Sequence, residues 1–379
     1  MISIKSDKII IGKSLFDGYV CIDGDKIVDV TDKPTSSHII DVTGRYVSPG
    51  FIEMHSHGAG GHAFMNSTVD DVVKGCDYHL MHGTTSIIPT ISAGTFSTMR
   101  EAVKNISIAQ KDGGAKAHIL GAHLEGPYLS KAQCGAQCPT FITPPIKEEY
   151  VSLINEYPDT VKRWTYAPEN DIDGEFCKYL TEHGVIASAG HTDAKYQDMV
   201  RARDNGCRLV THFYSCTSTI TRDHGFRSLG VIESAYLLDD FTVEIIADGK
   251  HLPLELIKLI LKIKGTDKVA LCTDSLEIAG TDVTEGVMSG TEFIVEDGVC
   301  KLKDRSAFAG SVATADRLIK TMVECGVSVP EAVYMMSEVP ARLLKVNKGR
   351  IAKGYDADVV IFDENMKITD VFVGQNKVF

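Results

Sequence analysis

Two histidines one residue apart, His55 and His57, open a series of polar residues that could hold a metal ion. In an extended chain residues i and i+2 face the same side, so both imidazoles can point into one space. Short apolar segments further along end in similar chemistry: His123-Leu124-Glu125, Gly190-His191, Thr211-His212, Asp248-Gly249-Lys250-His251 and Thr273-Asp274. One polar residue at the end of a strand means little. Six strand ends carrying imidazoles and carboxylates describe a metal pocket. Neutral imidazole nitrogens bind a borderline ion such as zinc or ferrous iron, and a carboxylate completes or bridges the site. Cys134 and Cys138 are close enough in sequence to share a metal, but read better as ordinary thiols in a loop.

Such a pocket needs strands that all end on one face. The strand candidates are 50–55, 84–91, 118–125, 161–168, 185–191, 208–213, 241–247 and 268–274. Amphipathic stretches such as 69–82, 175–183, 194–205 and 254–264 lie between most of them, and Gly83, Gly184, Gly206 and Gly265 follow as helix ends favour. Eight strand–helix repeats match an α/β fold of the (β/α)8 TIM-barrel type, whose chemistry sits at the C-terminal strand ends. A doubly wound sheet is the alternative, disfavoured because the chain lacks a Gly-rich phosphate fingerprint. The segment 286–302 reads as an inserted hairpin turning at Glu296-Asp297-Gly298, and helices over 313–325 and 330–344 close the barrel.

Both ends of the chain read differently. Strands are expected over 7–12, in a hairpin over 19–30 around Asp23-Gly24-Asp25, and over 357–363 and 368–373, with a turn at Gly374-Gln375-Asn376. The expected organisation is a small β-sandwich domain formed by 1–49 and 347–379, flanking a barrel domain over 50–346.

Composition bounds the class. Of 379 residues 44% are hydrophobic and 24% charged, as in a globular protein. The net charge of −12 argues against nucleic acid or a membrane surface as partner, though not against a small anion met by one local Arg. No apolar run approaches the roughly 18 residues of a membrane-spanning helix, and the N-terminal segment lacks the blocks of a signal peptide. The cytoplasm is the expected compartment, where ten cysteines without a CxxC pair are not a disulfide framework.

The run Pro49-Gly50-Phe51-Ile52-Glu53-Met54-His55-Ser56-His57 resembles the opening signature of the amidohydrolase superfamily. His123-Leu124-Glu125-Gly126-Pro127-Tyr128, Ser188-Ala189-Gly190-His191-Thr192-Asp193-Ala194 and Ile246-Ala247-Asp248-Gly249-Lys250-His251 narrow the resemblance to the N-acetylglucosamine-6-phosphate deacetylase family. So do Thr273-Asp274 and Ala309-Gly310-Ser311. The similarity continues to Lys353-Gly354-Tyr355-Asp356-Ala357-Asp358, so it covers nearly the whole chain.

The resemblance implies roles. Glu125, His191 and His212 match the ligands of the metal present throughout the family, while His55 and His57 match the extra ligands of members holding two. One or two divalent ions per chain, Zn2+ or Fe2+, are therefore implied. Asp274 matches the acid/base and His251 a substrate-binding histidine; the substrate would be an amino sugar phosphate and the assembly a homodimer. An amine leaves poorly unless protonated, so an acid that recycles the proton of the attacking water suits the reaction.

Departures fall on substrate recognition. Members commonly follow the strand-six histidine with a Tyr-Asn-Ala-Met-type segment, whose Asn helps hold the sugar phosphate; here His212-Phe213-Tyr214-Ser215-Cys216-Thr217 loses it. Ser215 and Cys216 take those places, Gln137 stands where some members have His, and Arg222 or Arg227 is the candidate phosphate ligand. His38, His62, His79, His82, His118 and His183 read as surface or packing residues, His123 as a candidate contact behind the ligands and His224 as a candidate substrate contact. The rival readings are a deacetylase of another N-acyl amino sugar such as N-acetylgalactosamine 6-phosphate, a ring-opening hydrolase of the dihydroorotase kind, and a catalytically inactive relative. The second is disfavoured because Leu124-Glu125-Gly126-Pro127 stands where a bridging lysine is expected; the third, because the polar set is intact.

Overall fold

Most of the expected barrel strands are apolar on both faces, so each must be covered on both sides. The computed structural model, which describes residues 1–112, 114–288 and 291–379, shows how. Phe51–Glu53 pairs in parallel with Thr84–Ile87, and Thr84–Ile87 with His118–Ile119. Thr90–Ile91 pairs with Ala122–Glu125, and the ladder continues through Val161–Tyr166, Ile186–Ala189, Leu209–Val210, Thr242–Ile246 and Val269–Cys272. A parallel bridge between Ser56 and Ser275 returns the eighth strand to the first. The strands thus run as a closed parallel ring.

Two expected strands are each broken in the middle. Pro89 removes a donor within 84–91 and leaves Thr84–Ile87 and Thr90–Ile91. Gly121, at φ 145°, interrupts 118–125, and a Cβ there would meet the Thr160 carbonyl oxygen at 2.4 Å. Helices Val69–Met81, Glu175–Glu182, Tyr196–Asp204 and Leu254–Lys264 lie within a few residues of expectation. The stretch 330–344 is not one helix but two, Val329–Met336 and Glu338–Leu344. Pro340 has no N–H to give Met336, so the helix breaks at Ser337.

The insertion pairs Thr291–Glu296 with Val299–Leu302 around Asp297-Gly298, both at positive φ, and adds a strand Glu285–Met288. Part of the expected hairpin, Ser289 and Gly290, lies outside the described residues.

Strands from both ends share one eight-stranded sheet. Ile2–Ile11 is longer than expected because Ile2 and Ile4 continue the buried row; it pairs with Ser14–Asp23, which pairs with Lys26–Thr31. Tyr46–Pro49 joins Ile2–Ile11 to the C-terminal strand Asp358–Phe362. Ile4, Val20, Val47, Val359 and Ile361 form a core of its own. Among the described residues no helix is long and apolar enough to cross a membrane.

Candidate metal centre and its pocket

The strand ends deliver the expected residues to one point. Glu125 ends its strand; His55, His191, His212 and Asp274 each follow theirs by two residues and His57 by four. Glu125 lies at the centre. Its Oε1 is 3.3 Å from His55 Nε2, 3.2 Å from His191 Nε2 and 3.0 Å from His212 Nε2, and its Oε2 is 3.2 Å from His57 Nε2. Asp274 Oδ1 sits 3.3 Å from both His55 Nε2 and His57 Nε2. Two groups with metal-ligand spacing result, His55–His57–Glu125 and Glu125–His191–His212, sharing the carboxylate. His191, His212 and Asp274 hold φ of 46°, 26° and 47°, a left-handed backbone that costs a side-chain-bearing residue about 1–3 kcal/mol. The strands end there in a sharp turn that aims each side chain inward.

Every histidine of the cluster is held from behind through Nδ1. His191 donates to the Gln133 carbonyl at 2.9 Å and His212 to the Ser215 carbonyl at 3.1 Å. A carbonyl only accepts, so these rings carry their proton on Nδ1 and turn a lone pair on Nε2 toward the cluster. His57 Nδ1 pairs with Ser92 Oγ at 3.0 Å, and His55 Nδ1 with Glu244 Oε2 at 3.4 Å. His191 and His212 then face each other at 3.1 Å through two atoms that cannot donate, and buried His55 Nε2 has no hydrogen-bond partner. Acceptors converging on a buried point suit a cation. A divalent metal fits this nitrogen–oxygen set.

Charge agrees. Burial opposes a protonated His55, yet Glu125 and Asp274 outweigh it and raise the ring to about 10. His57, equally opposed by burial, rises to about 9 through its bonds to Asp274 and Glu125. Burial likewise opposes the charge of Glu125, but the imidazoles around it hold the carboxyl well below the usual range. Protons on these rings balance negative charge that a bound cation would balance instead.

Sequence reasoning missed the residues behind the ligands. A third group of donors, His55, Glu244 and Cys272, lies inside the barrel, but the Arg163 guanidinium already occupies it, bonding Glu244 at 2.7 and 2.6 Å. The available signal was a lone Glu or Arg within an apolar strand. His123 bonds Thr90 and Thr165 and meets the His55 ring edge-on at 4.7 Å, so it packs a ligand in place.

A cavity of about 300 Å3 opens beside the cluster, lined by Gln137, Tyr214, Ser215, Cys216, His251 and Phe308 among others. Gln137 donates to Glu125 Oε2 at 2.8 Å and accepts from the Ala93 N–H, so it steadies the shared carboxylate. His251 is held by Asp248 at 2.9 Å and lies against Phe308. Arg222 and Arg227 are not brought here. They face each other on an exposed hairpin, Thr221–Asp223 with Phe226–Ser228, and neither lines the cavity. Short, self-paired strands hold them out in solvent. Among the described residues the cavity lining contains no Lys or Arg. Cys134 and Cys138 belong to none of the three metal-spaced groups, and all ten cysteines are free thiols.

The amidohydrolase family profile matches residues 175–378, more than half of the chain. The chain belongs to the amidohydrolase family. An N-acetylglucosamine-6-phosphate deacetylase of Lysinibacillus sphaericus is 31% identical over 86% of this chain and 84% of its own. An N-acetylgalactosamine-6-phosphate deacetylase of Escherichia coli O157:H7 is 28% identical over 90% of each. The structure of a mutant N-acetyl-D-glucosamine-6-phosphate deacetylase from Mycobacterium smegmatis in complex with N-acetyl-D-glucosamine-6-phosphate superposes with a TM-score of 0.92. It is 27% identical and covers 100% of this amidohydrolase and 99% of that chain. The resemblance read from the motifs is borne out, and the fold is the amidohydrolase fold.

Proposed function

We propose that the chain hydrolyses the acetamide of N-acetylglucosamine 6-phosphate to glucosamine 6-phosphate and acetate. One observation carries this reading: Asp274 faces the same pair of imidazoles that Glu125 links to a second pair, at the floor of a sugar-sized cavity. His55, His57, Glu125, His191 and His212 would hold one or two divalent ions, zinc or ferrous iron. When bound, such an ion supplies Lewis acidity toward the amide carbonyl and makes a water more acidic. Asp274 accepts the proton of the attacking water and returns it to the leaving nitrogen. His251, fixed by Asp248, and Gln137, Ser215 and Cys216 contact the sugar from the cavity wall.

The 6-phosphate calls for a cationic side chain, and among the described residues the cavity lining holds no Lys or Arg. Arg222 or Arg227 supplies it from the partner of a homodimer; the exposure of their hairpin, with Phe226 80% exposed, supports that reading. Relatives named for N-acetylgalactosamine 6-phosphate support the other epimer as the second reading. We further read 1–49 and 347–379 as one domain, a sandwich closed over the core of Ile4, Val20 and Val359, and 50–346 as the barrel domain. Ten free thiols suit a cytoplasmic protein.

A panel of N-acetylated glucosamine, galactosamine and mannosamine, each with and without the 6-phosphate, tests the reading by released acetate. The expected result is fastest turnover of N-acetylglucosamine 6-phosphate. Turnover of none would sink the proposal, and preference for the galacto epimer would install the second reading.

A further inference from the structure

Beneath the metal centre the barrel interior holds a charge pair that the proposed chemistry does not use. Arg163 and Glu244, both fully buried, lie on the fourth and seventh barrel strands. The guanidinium meets Glu244 in a two-pronged bond and also donates to the Met54 carbonyl at 3.1 Å, Thr211 Oγ1 at 2.9 Å and Ser188 Oγ at 3.3 Å. Every contact serves to fix it. Burying two such charges is weak support for a fold, since apolar residues of similar volume often do as well or better. The pair therefore needs another reason to be there.

The reason lies one bond further on. Glu244 Oε2 accepts from His55 Nδ1, which leaves Nε2, 3.3 Å from both Glu125 and Asp274, as the ring atom free to give up its proton to an ion. The other three histidines are backed by neutral oxygens, those of Ser92, Gln133 and Ser215. Only His55 is backed by a carboxylate, and a carboxylate raises the basicity of the ring it holds.

We propose that Arg163 and Glu244 are positioning residues that fix the tautomer and direction of His55 and so set the affinity of the His55–His57–Glu125 ion position, leaving the Glu125–His191–His212 position untouched. Arg163 aligns the carboxylate; Glu244 aligns the imidazole. The inference rests on reading the cluster as a two-ion centre.

Calorimetric titration of the metal-free protein with zinc tests it. The unaltered chain is expected to take up two ions in separable steps. Glu244→Gln alone strands a buried Arg, so the main variant is Arg163→Met/Glu244→Gln, which removes both charges together. Circular dichroism of its metal-free form checks that it folds. The tighter step should keep its affinity while the weaker one loses about 10- to 100-fold. Glu244→Asp, which keeps the partner charge for Arg163 but draws back from His55, should weaken the same step. Wild-type affinity for both ions in either folded variant would overturn the inference, and so would equal weakening of both steps. His55→Ala separates this from the parent reading: if two ions still bind without His55, the two-ion centre itself is wrong.

Discussion

The two sides of the cavity are built on different principles. The metal side draws its polar groups from five of the barrel strands, nearly all buried, each fastened by a second residue of the same chain. The substrate side is made of loops, Ala307–Gly310 and Tyr214–Cys216 among them, and the cations suited to a phosphate stand out on a solvent-facing hairpin. A barrel strand dictates where its last residue goes. A loop does not, and recognition can be changed there, or shared with a second subunit, without disturbing the chemistry.

The sharpest break in that comparison is Asp274→Asn. The side chain is isosteric, so the strand end and metal content should survive while kcat falls by about 10²–10⁴-fold, the worth of a general acid/base. Elemental analysis beside steady-state kinetics checks both halves. Next comes the ion count: His55→Ala/His57→Ala should remove about one ion per chain and leave the other on Glu125, His191 and His212. Retention of the full metal content would take the pair out of the centre. On the substrate side, Arg222→Ala or Arg227→Ala should raise KM for the phosphorylated sugar about 10-fold or more, as expected for a charge-assisted bond, and leave the unphosphorylated sugar unaffected. If neither changes the preference, the phosphate is held elsewhere. The smallest effect is Ser215→Asn, which returns the family's amide to the wall. One added hydrogen bond should lower KM by about 2- to 10-fold without changing kcat.

The same contrast explains what could be read from the chain. His55, His57, Glu125, His191, His212 and Asp274 were legible because strand periodicity and position at a C-terminal strand end leave few places for a side chain to go. Arg163 and Glu244 were not singled out. They sit inside strands that otherwise read as core, and only the closed ring brings the fourth strand opposite the seventh. The outer partner of His191 is the main-chain carbonyl of Gln133, in the short 3-10 turn Lys131–Gln133, and no side-chain pattern announces it. Breaks at Pro89, Gly121 and Ser337 were local and readable in principle; what obscured them was a continuous apolar pattern on either side.

The seam of the barrel has a consequence of its own. The ring closes where Asp274 N–H bonds the His55 carbonyl at 2.9 Å and His57 N–H the Ser275 carbonyl at 2.7 Å, with buried His79 touching both Ser56 and Ser275. Glu53 adds a clasp, accepting from the N–H groups of His55 and Thr273. The last joint of the fold and the groups proposed for the chemistry therefore belong to the same few residues. Anything that binds His55 and His57 on one edge and Asp274 on the other would also rivet the hoop shut, so removing a bound ion should loosen the architecture along with the proposed site.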